Sequence, residues 1–364
     1  MNIRRILAVT RKESREIARD PVTVWVSLLM PLVMLFLFGY AITLDVEDVA
    51  FGVWDEDRSP ESRRLIDAFA QSGYFKLAHA ISDERGLTAA LERGSIKMAL
   101  VIPESFGRSV ARHGPAAVQI IVDGTFSNTA QIVAGYADAI VQGASPPVRP
   151  LVRPEVRVWY NPEMRSANYV VPGLFGVILL AFPPLLTALG VVREKESGSI
   201  QQIFASPLTS AEFIAGKLVP YGLIAFVQVL LVVGFGLIWF EVPFRGELAL
   251  LLGVSLVYVF CTVGLGLLVS TLTRKQIVAM LLALVLTLMP SFLFSGFLFP
   301  IFTMPYALQL YAAAFPGQYF VELSRDIVMK GAGLREVWIN VAALLAYTLG
   351  VFWLAAWRFR KKVA

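Results

Sequence analysis

Six long apolar runs, separated by polar segments, set the plan of the chain. They cover about residues 22–44, 170–192, 218–240, 248–270, 277–299 and 337–357, and none holds a charged side chain well inside it. At about 1.5 Å per residue, the first run reaches roughly 34 Å, enough to cross a hydrocarbon layer of about 30 Å. Ahead of it, residues 2–20 predict an amphipathic helix. Ile3, Ile6, Leu7, Thr10, Ser14 and Ile17 recur at helical spacing, while Arg4, Arg5, Arg11, Lys12, Arg15 and Arg19 fill the other faces. Asp20-Pro21 ends this helix. A cleaved leader fits poorly, because Glu13, Glu16 and Asp20 precede a run longer than a leader's apolar core.

Between the first two runs, residues 45–168 alternate short apolar stretches with polar ones. Val49–Trp54, Phe75–Ala80, Ser95–Ile102, Ala117–Val122 and Glu155–Tyr160 read as strands. Helices are expected from Pro60 to about Gln71 behind a Ser59 cap, from a Ser82 cap to near Gly94, over Glu104–Arg112 and over Thr125–Gln142. The alternation predicts an inserted α/β domain, followed by a stiff connector at Pro146, Pro147, Pro150 and Pro154. Segment 298–336 is too long for a turn and too apolar for an open loop. Its stretch Tyr319–Val328 predicts a short re-entrant or interfacial helix. The fold class is therefore a polytopic α-helical membrane protein with six transmembrane helices and an inserted α/β extracytoplasmic domain. Its parts are 1–21, an amphipathic helix; 22–44, the first span; 45–168, the α/β domain; and 169–364, the remaining spans.

Composition agrees with this plan. The 364 residues are 57% hydrophobic and 16% charged, against about 25% charged in soluble domains. The net charge of +5 is no nucleic-acid signal. Its distribution sets orientation instead. Fifteen basic residues flank the spans on the N-terminal side of the bilayer: six in the first helix, then Arg193, Lys195, Lys217, Arg274, Lys275, Arg358, Arg360, Lys361 and Lys362. The other side carries four, namely Arg245, Arg325, Lys330 and Arg335. Both termini are thus expected in the cytoplasm and the α/β domain outside. Cys261 stands alone, and His79 and His113 lie far apart, so the cysteines and histidines make no disulfide or metal cluster. Asp45, Glu47, Asp48, Asp55, Glu56 and Asp57 read as the solvated foot of the α/β domain rather than a metal site.

The chain lacks the parts of a self-powered pump. Its spans offer hydroxyls and amides such as Gln228, Ser255, Thr262 and Thr287, not proton-carrying acids. The pair Gly216-Lys217 has Ala211 where a phosphate loop needs glycine and Leu218 where it needs Ser or Thr. No catalytic signature stands out, so the chain is not read as an enzyme. Attention falls on the polar stretch 193–217 between the second and third runs. Arg193, Glu194, Lys195 and Glu196 alternate in charge, Gly198 breaks the segment, Gln201 to Ala205 suit a short helix, and Ser210 is a plausible cap for the next. A lever held between hinges is one reading; an ordinary charged loop is the other.

Four segments break this tie. VDGTFSNTAQIVAGYA, VWYNPEMRSANYVVPG, REKESGSIQQIFASPLTSAEFIAGKLVPY and SGFLFPIFTMPYALQLYAAAFPGQYFVELSRDIVMKG, in this order along the chain, resemble type-2 ABC exporter permeases of the bacterial multidrug-efflux kind with a large periplasmic domain. The resemblance implies a type-2 ABC exporter fold in the bacterial inner membrane. Two permease subunits pair, as homodimer or paralogues, and each docks on a separate ATPase subunit that binds ATP and Mg; the chain itself carries no cofactor. A periplasmic adaptor often joins. Residues 2–20 become a connecting helix, with Arg4, Arg5, Arg11, Lys12 and Glu13 toward the ATPase. The segment from Arg193 becomes the coupling helix, with Glu194, Lys195, Glu196, Ser197, Gly198, Gln201 and Gln202. Cargo is expected to be hydrophobic or amphipathic. Phe175, Phe182, Phe292, Phe294, Phe297 and Phe299 are candidates for an apolar route, against plain packing or lipid contact. Pro172, Pro183 and Pro184 mark a kink in the second span, gating or static. A membrane receptor or scaffold with a ligand-binding outer domain is one alternative function. An envelope-modifying transferase using Glu322 and Asp326 is the other.

Overall fold

The computed structural model describes residues 2–42, 48–112, 114–124, 127–144, 159–162, 165–199 and 207–358. The chain divides into two compact units, Met1–Thr43 together with Val158–Ala364, and Leu44–Arg157. Helix α1 (Ile3–Ala18) starts where the Asn2 side chain accepts the Arg4 amide. Helix α2 (Pro21–Ala41) follows, with Asp20 capping Thr23 at 3.1 Å and proline at the first position.

The unit Leu44–Arg157 holds β1 (Val49–Asp55), α3 (Pro60–Ala70), β2 (Phe75–Ala80), α4 (Glu84–Glu92), β3 (Met98–Ile102), α5 (Phe106–Ala111), β4 (Gln119–Val122) and α6 (Ser127–Ala144). Its sheet runs β2-β1-β3-β4. Strand β1 is parallel to both neighbours, as helical crossovers require, and β4 is antiparallel to β3. Phe51, Phe69 and Phe75 meet at ring distances of 5.3–5.9 Å on one face. Leu87, Ala90, Ile96 and Ala99 pack on the other. Central β1 therefore reads as one apolar run. Three expectations shift here. Asp83, not Ser82, caps α4, accepting the Gly86 amide at 2.7 Å. Strand β3 starts at Met98 rather than Ser95, because the amides of Ser95 and Ile96 turn back to the Ala90 carbonyl. Of the fifth expected strand, 155–158 lie outside the described residues, as does the proline connector; Trp159 and Tyr160 are not in a strand.

The other unit continues with α7 (Ser166–Glu196), α8 (Ser210–Trp239), α9 (Leu248–Leu272) and α10 (Gln276–Phe294). A single 3-10 turn (Ile301–Thr303), α11 (Tyr306–Ala313), α12 (Pro316–Arg325), a π-turn (Asp326–Lys330) and α13 (Leu334–Arg358) complete it. Among the described residues, six helices, α2, α7 to α10 and α13, are long and apolar enough to cross a membrane. Helix α7 is the axis: 78% of its apolar window is buried, against 17–50% for the others. Close approach is built into it and its neighbours. Tyr258 of α9 donates to the Gly176 carbonyl at 2.9 Å and stacks on Phe320 of α12 at 4.1 Å. Ser324 of α12 donates to the Pro172 carbonyl at 2.7 Å, and Thr187 to that of Pro183 at 2.8 Å. The Tyr258 and Ser324 hydroxyls thereby tie α9 and α12 to the backbone of α7. The helix expected at Tyr319–Val328 begins earlier, at Pro316, and gives way to the π-turn after Arg325. It packs on α7 through Phe320, Leu323 and Ser324.

The largest correction concerns the polar stretch. Arg193–Glu196 is no separate segment; it is the last turn of α7, closed by Gly198 in the left-handed region at φ 75°. At the far side, α8 is capped by Thr209 rather than Ser210. Thr209 and Glu212 exchange backbone bonds in a capping box. The turn expected at Gln201 to Ala205, with Gln201 and Gln202, lies outside the described residues.

Candidate functional site

Helix α1 uses only part of the stripe that its leucine and isoleucines suggest, with Ile17 packed on the main core. Ile3 is 71% and Leu7 58% exposed, whereas Val9 and Glu13 are buried. The buried face meets α8 across Gly216, where an added Cβ would stand 2.6 Å from Val9. Thr10 Oγ1 lies 3.0 Å from both the Ile6 and Gly216 carbonyls. The Asn2 amide donates to Glu212 at 2.6 Å and Arg5 to the Pro207 carbonyl at 2.7 Å. The N-terminus of α1 is thereby fixed to the start of α8. Arg4, Arg11, Arg15 and Arg19 stay exposed.

That docking brings Glu13 against a buried lysine. Lys217 of α8 has no exposed side-chain surface, and its Nζ lies 2.7 Å from both Glu13 Oε1 and Glu194 Oε2. Lys12 bonds Glu194 and also reaches Glu13 at 3.2 Å and Glu16 at 3.1 Å. Tyr221, one turn beyond Lys217, donates to Glu13 Oε2 at 3.3 Å. Its hydroxyl needs Gly190 of α7, where a Cβ would sit 1.8 Å away. Two buried carboxylates thus face two ammonium groups, the arrangement that offsets the cost of desolvating charge. Burial alone would raise the Glu13 carboxyl, yet Lys217 and Lys12 hold it below its usual range. Burial would lower Lys12, yet Glu194 and Glu13 carry it above the ordinary lysine value. Carboxylate oxygens of Glu13, Glu16 and Glu194 lie within 4.8 Å of one another. A divalent cation has no vacancy there, because Lys12 already bonds all three.

The four charged residues at the end of α7 each hold a different helix. Arg193 pairs with Asp20, the cap of α2, at 2.8 Å. The Thr23 hydroxyl and amide, then Arg193, keep the Asp20 carboxyl low. Glu194 holds α1 and α8. Lys195 donates to the Ser270 and Thr273 carbonyls at the end of α9, where a cation complements the helix dipole. Glu196 accepts the Gln276 amide at 3.2 Å and its side chain at 2.8 Å, capping α10. Ser197 and Ser199 bond back to the Glu194 carbonyl. The last turn of α7 is a hub that ties five neighbouring helices by charge. Sequence reasoning found its four residues and assigned them to an outward docking face, but Glu194 is only 5% exposed. It missed Lys217, Tyr221, Asp20 and Gln276.

The candidate route phenylalanines separate. Phe175 is enclosed against the position of Gly236, and Phe297 is buried beside Phe292 at 5.7 Å. Phe292 also meets Phe38 at 5.2 Å, Phe294 meets Tyr311 at 4.7 Å, and Phe182 packs on the main core. Phe299 is exposed.

Six candidate spans, an inserted sheet unit and a charged hub at the end of the central span are a transporter's architecture, and residues 21–357 match the family described as ABC-2 family transporter protein. The chain belongs to the ABC-2 transporter family. This ABC-2 permease is 33% identical to the probable multidrug ABC transporter permease YbhS of Escherichia coli K12, over 96% of each chain. It is 32% identical to the probable multidrug ABC transporter permease YbhR of the same strain, over 99% of each. The inner membrane transport permease YhhJ, also of that strain, is 29% identical over 93% of this chain and 95% of its own. The family match begins at Pro21, so Lys12 and Glu13 reach the hub from outside the matched region.

Proposed function

We propose that this ABC-2 permease is the membrane subunit of an ATP-driven exporter, and that a separate ATPase subunit drives it through the last turn of α7. The observation that carries the reading is the hub, in which Arg193, Glu194, Lys195 and Glu196 grip α2, α1 with α8, α9 and α10 respectively. A push on Ser197–Ser199 or on the exposed arginines of α1 is delivered through the hub to α7, a helix of 31 residues, roughly 46 Å long, with Pro172, Pro183 and Pro184 as the places where it can bend. The ion pairs pass that displacement to the neighbouring helices. Exchange between two such packed arrangements is how a small shift becomes a large one.

Orientation follows the basic residues. Both termini and the hub face the cytoplasm of a bacterial inner membrane, and the Leu44–Arg157 unit faces outward. A second permease subunit, identical or paralogous, completes the route, and a periplasmic adaptor extends it. The names of YbhS and YbhR support a drug-like, hydrophobic or amphipathic cargo. The partly exposed Phe182, Phe292 and Phe294 are the lining residues this reading uses.

Dye uptake into inverted vesicles carrying the permease and its ATPase tests the reading. Glu196 is exposed and caps α10, so Glu196→Ala is expected to leave the protein level unchanged and to lower uptake per ATP hydrolysed. Uptake and coupling at wild-type values in both Glu196→Ala and Gly198→Pro would refute the assignment of α7 as the driven element.

A further inference from the structure

The end of α7 away from the hub carries a second site. Tyr169 and Glu194 lie 25 residues apart on this helix, roughly 37 Å along its axis. Beside Tyr169 opens a cavity of about 560 Å³, bounded by the Trp159–Asn161 loop, the 3-10 turn and α12. That volume suits a small organic molecule.

The wall's hydrogen-bonding capacity is lopsided. Arg325 donates to the carbonyls of Tyr169, Gly296 and Phe297 at 3.2, 2.8 and 3.1 Å, and its guanidinium carbon lies over the Tyr169 ring, 3.7 Å from the centroid. Lys330 is paired with Asp326 at 2.6 Å. Both cations are engaged. Glu322 is exposed and makes no ion pair among the described residues. Gln318, one turn earlier on the same face of α12, carries a side-chain oxygen without a partner. Three of the five N–H groups of Arg325 are spent on carbonyls, and the exposed Glu322 carboxylate and the Gln318 oxygen are the acceptors left open.

The rest of the wall is aromatic. Trp159 is 72% and Phe302 82% exposed, and Tyr160 meets Trp159 edge-on at 6.3 Å. Tyr160 sits in the left-handed region at φ 70°, unusual for a bulky residue. The adjoining Asn161 is pinned, donating to the Arg165 carbonyl and accepting from Asn168. Free π faces beside a lone carboxylate favour a cation with an apolar body. An anion would face Glu322, and the Arg325 guanidinium is held back against three carbonyls.

We propose that this cavity binds amphipathic organic cations, amines or quaternary ammonium compounds, with Glu322 as counter-charge and Trp159, Tyr160 and Phe302 as the aromatic walls. The inference rests on the exporter reading only in taking such cations as cargo. The test is ethidium binding by fluorescence anisotropy to the purified full chain in nanodiscs, without any ATPase. Anionic anilinonaphthalene sulfonate and neutral phenylnaphthylamine serve as contrasts. Glu322→Gln is expected to weaken ethidium about 10-fold with neutral-probe binding unchanged, and Trp159→Ala to weaken ethidium about 3- to 10-fold, with the melting temperature unchanged in both. Wild-type ethidium affinity in both variants, or equal competition by the anionic probe, overturns the site. Should vesicle export be ATP-driven while the cavity fails this test, only the cavity inference falls. Should the cavity bind as stated while no ATPase drives export, the exporter reading falls and the site stands.

Discussion

Lys217→Met removes one ammonium from the centre of the hub and leaves the rest in place. The side chain is fully buried, 2.7 Å from Glu13 and from Glu194, and both carboxylates are themselves nearly enclosed. Only Lys12, whose side chain is 37% exposed, would then face the two acids. Breaking a buried pair by deleting one partner costs about 3–5 kcal/mol, because the surviving charge stays desolvated. For a chain of this size that is a fall in melting temperature of roughly 4–7 °C, readable by size-exclusion thermostability in detergent. The double variant Lys217→Met/Glu194→Gln deletes one charge of each sign and leaves Glu13 with Lys12. It is expected to recover most of the loss, since apolar or neutral replacements for buried pairs are often tolerated. Transport per ATP in the double variant should stay low, because α7 no longer grips α1 and α8 by charge. A single variant that melts with wild type would refute the buried network. A stable double variant that exports with wild-type coupling would refute its role in transmitting motion.

Three further outcomes follow from the same geometry. Gly190→Ala places a methyl 1.8 Å from the Tyr221 hydroxyl and should cost about 1–3 kcal/mol by overpacking; adding Tyr221→Phe should return part of it in the same melting assay. Glu13 is held below its usual range, so its contribution is complete above the ordinary carboxylate value of about 4.3. It is lost as pH falls through the lowered folded value, so melting temperature should drop on acidification, and less steeply in Glu13→Gln/Lys217→Met. Arg325→Lys keeps the charge but not the fork that serves three carbonyls; a loss of about 1.5–3 kcal/mol is expected.

The spans were legible because crossing a bilayer demands about 20 apolar residues in a row, and nothing else in the sequence imitates that. Their ends were not. Polar side chains at 193–196 look like loop, yet the helix hydrogen bonds continue through them and the charges are satisfied by neighbouring helices. The same blindness hid the hub's interior. The resemblance sets Glu13 toward the ATPase, although Val9, Glu13 and Ile17 share a stripe four residues apart. Lys217 was counted as an orienting charge, although Tyr221 stands one turn beyond it on α8. Spacing revealed which face each lay on. It gave no hint that these faces meet, because Glu13 and Lys217 are 204 residues apart. In the sheet unit, β1 and β2 were readable from their apolar runs, whereas Ser82 and Asp83 are both competent caps and only backbone geometry chose between them.

The central claim is that an ATPase subunit engages the end of α7 and the exposed face of α1. Native Cys261 is buried, so single cysteines at Ser197, Ser199 and Arg11 can carry a photocrosslinker in the assembled complex. The account predicts ATPase crosslinks from all three, changing in yield when nucleotide binds. Crosslinks absent there, but formed from cysteines at Arg245 or Lys330 at the other end of the helices, would contradict it.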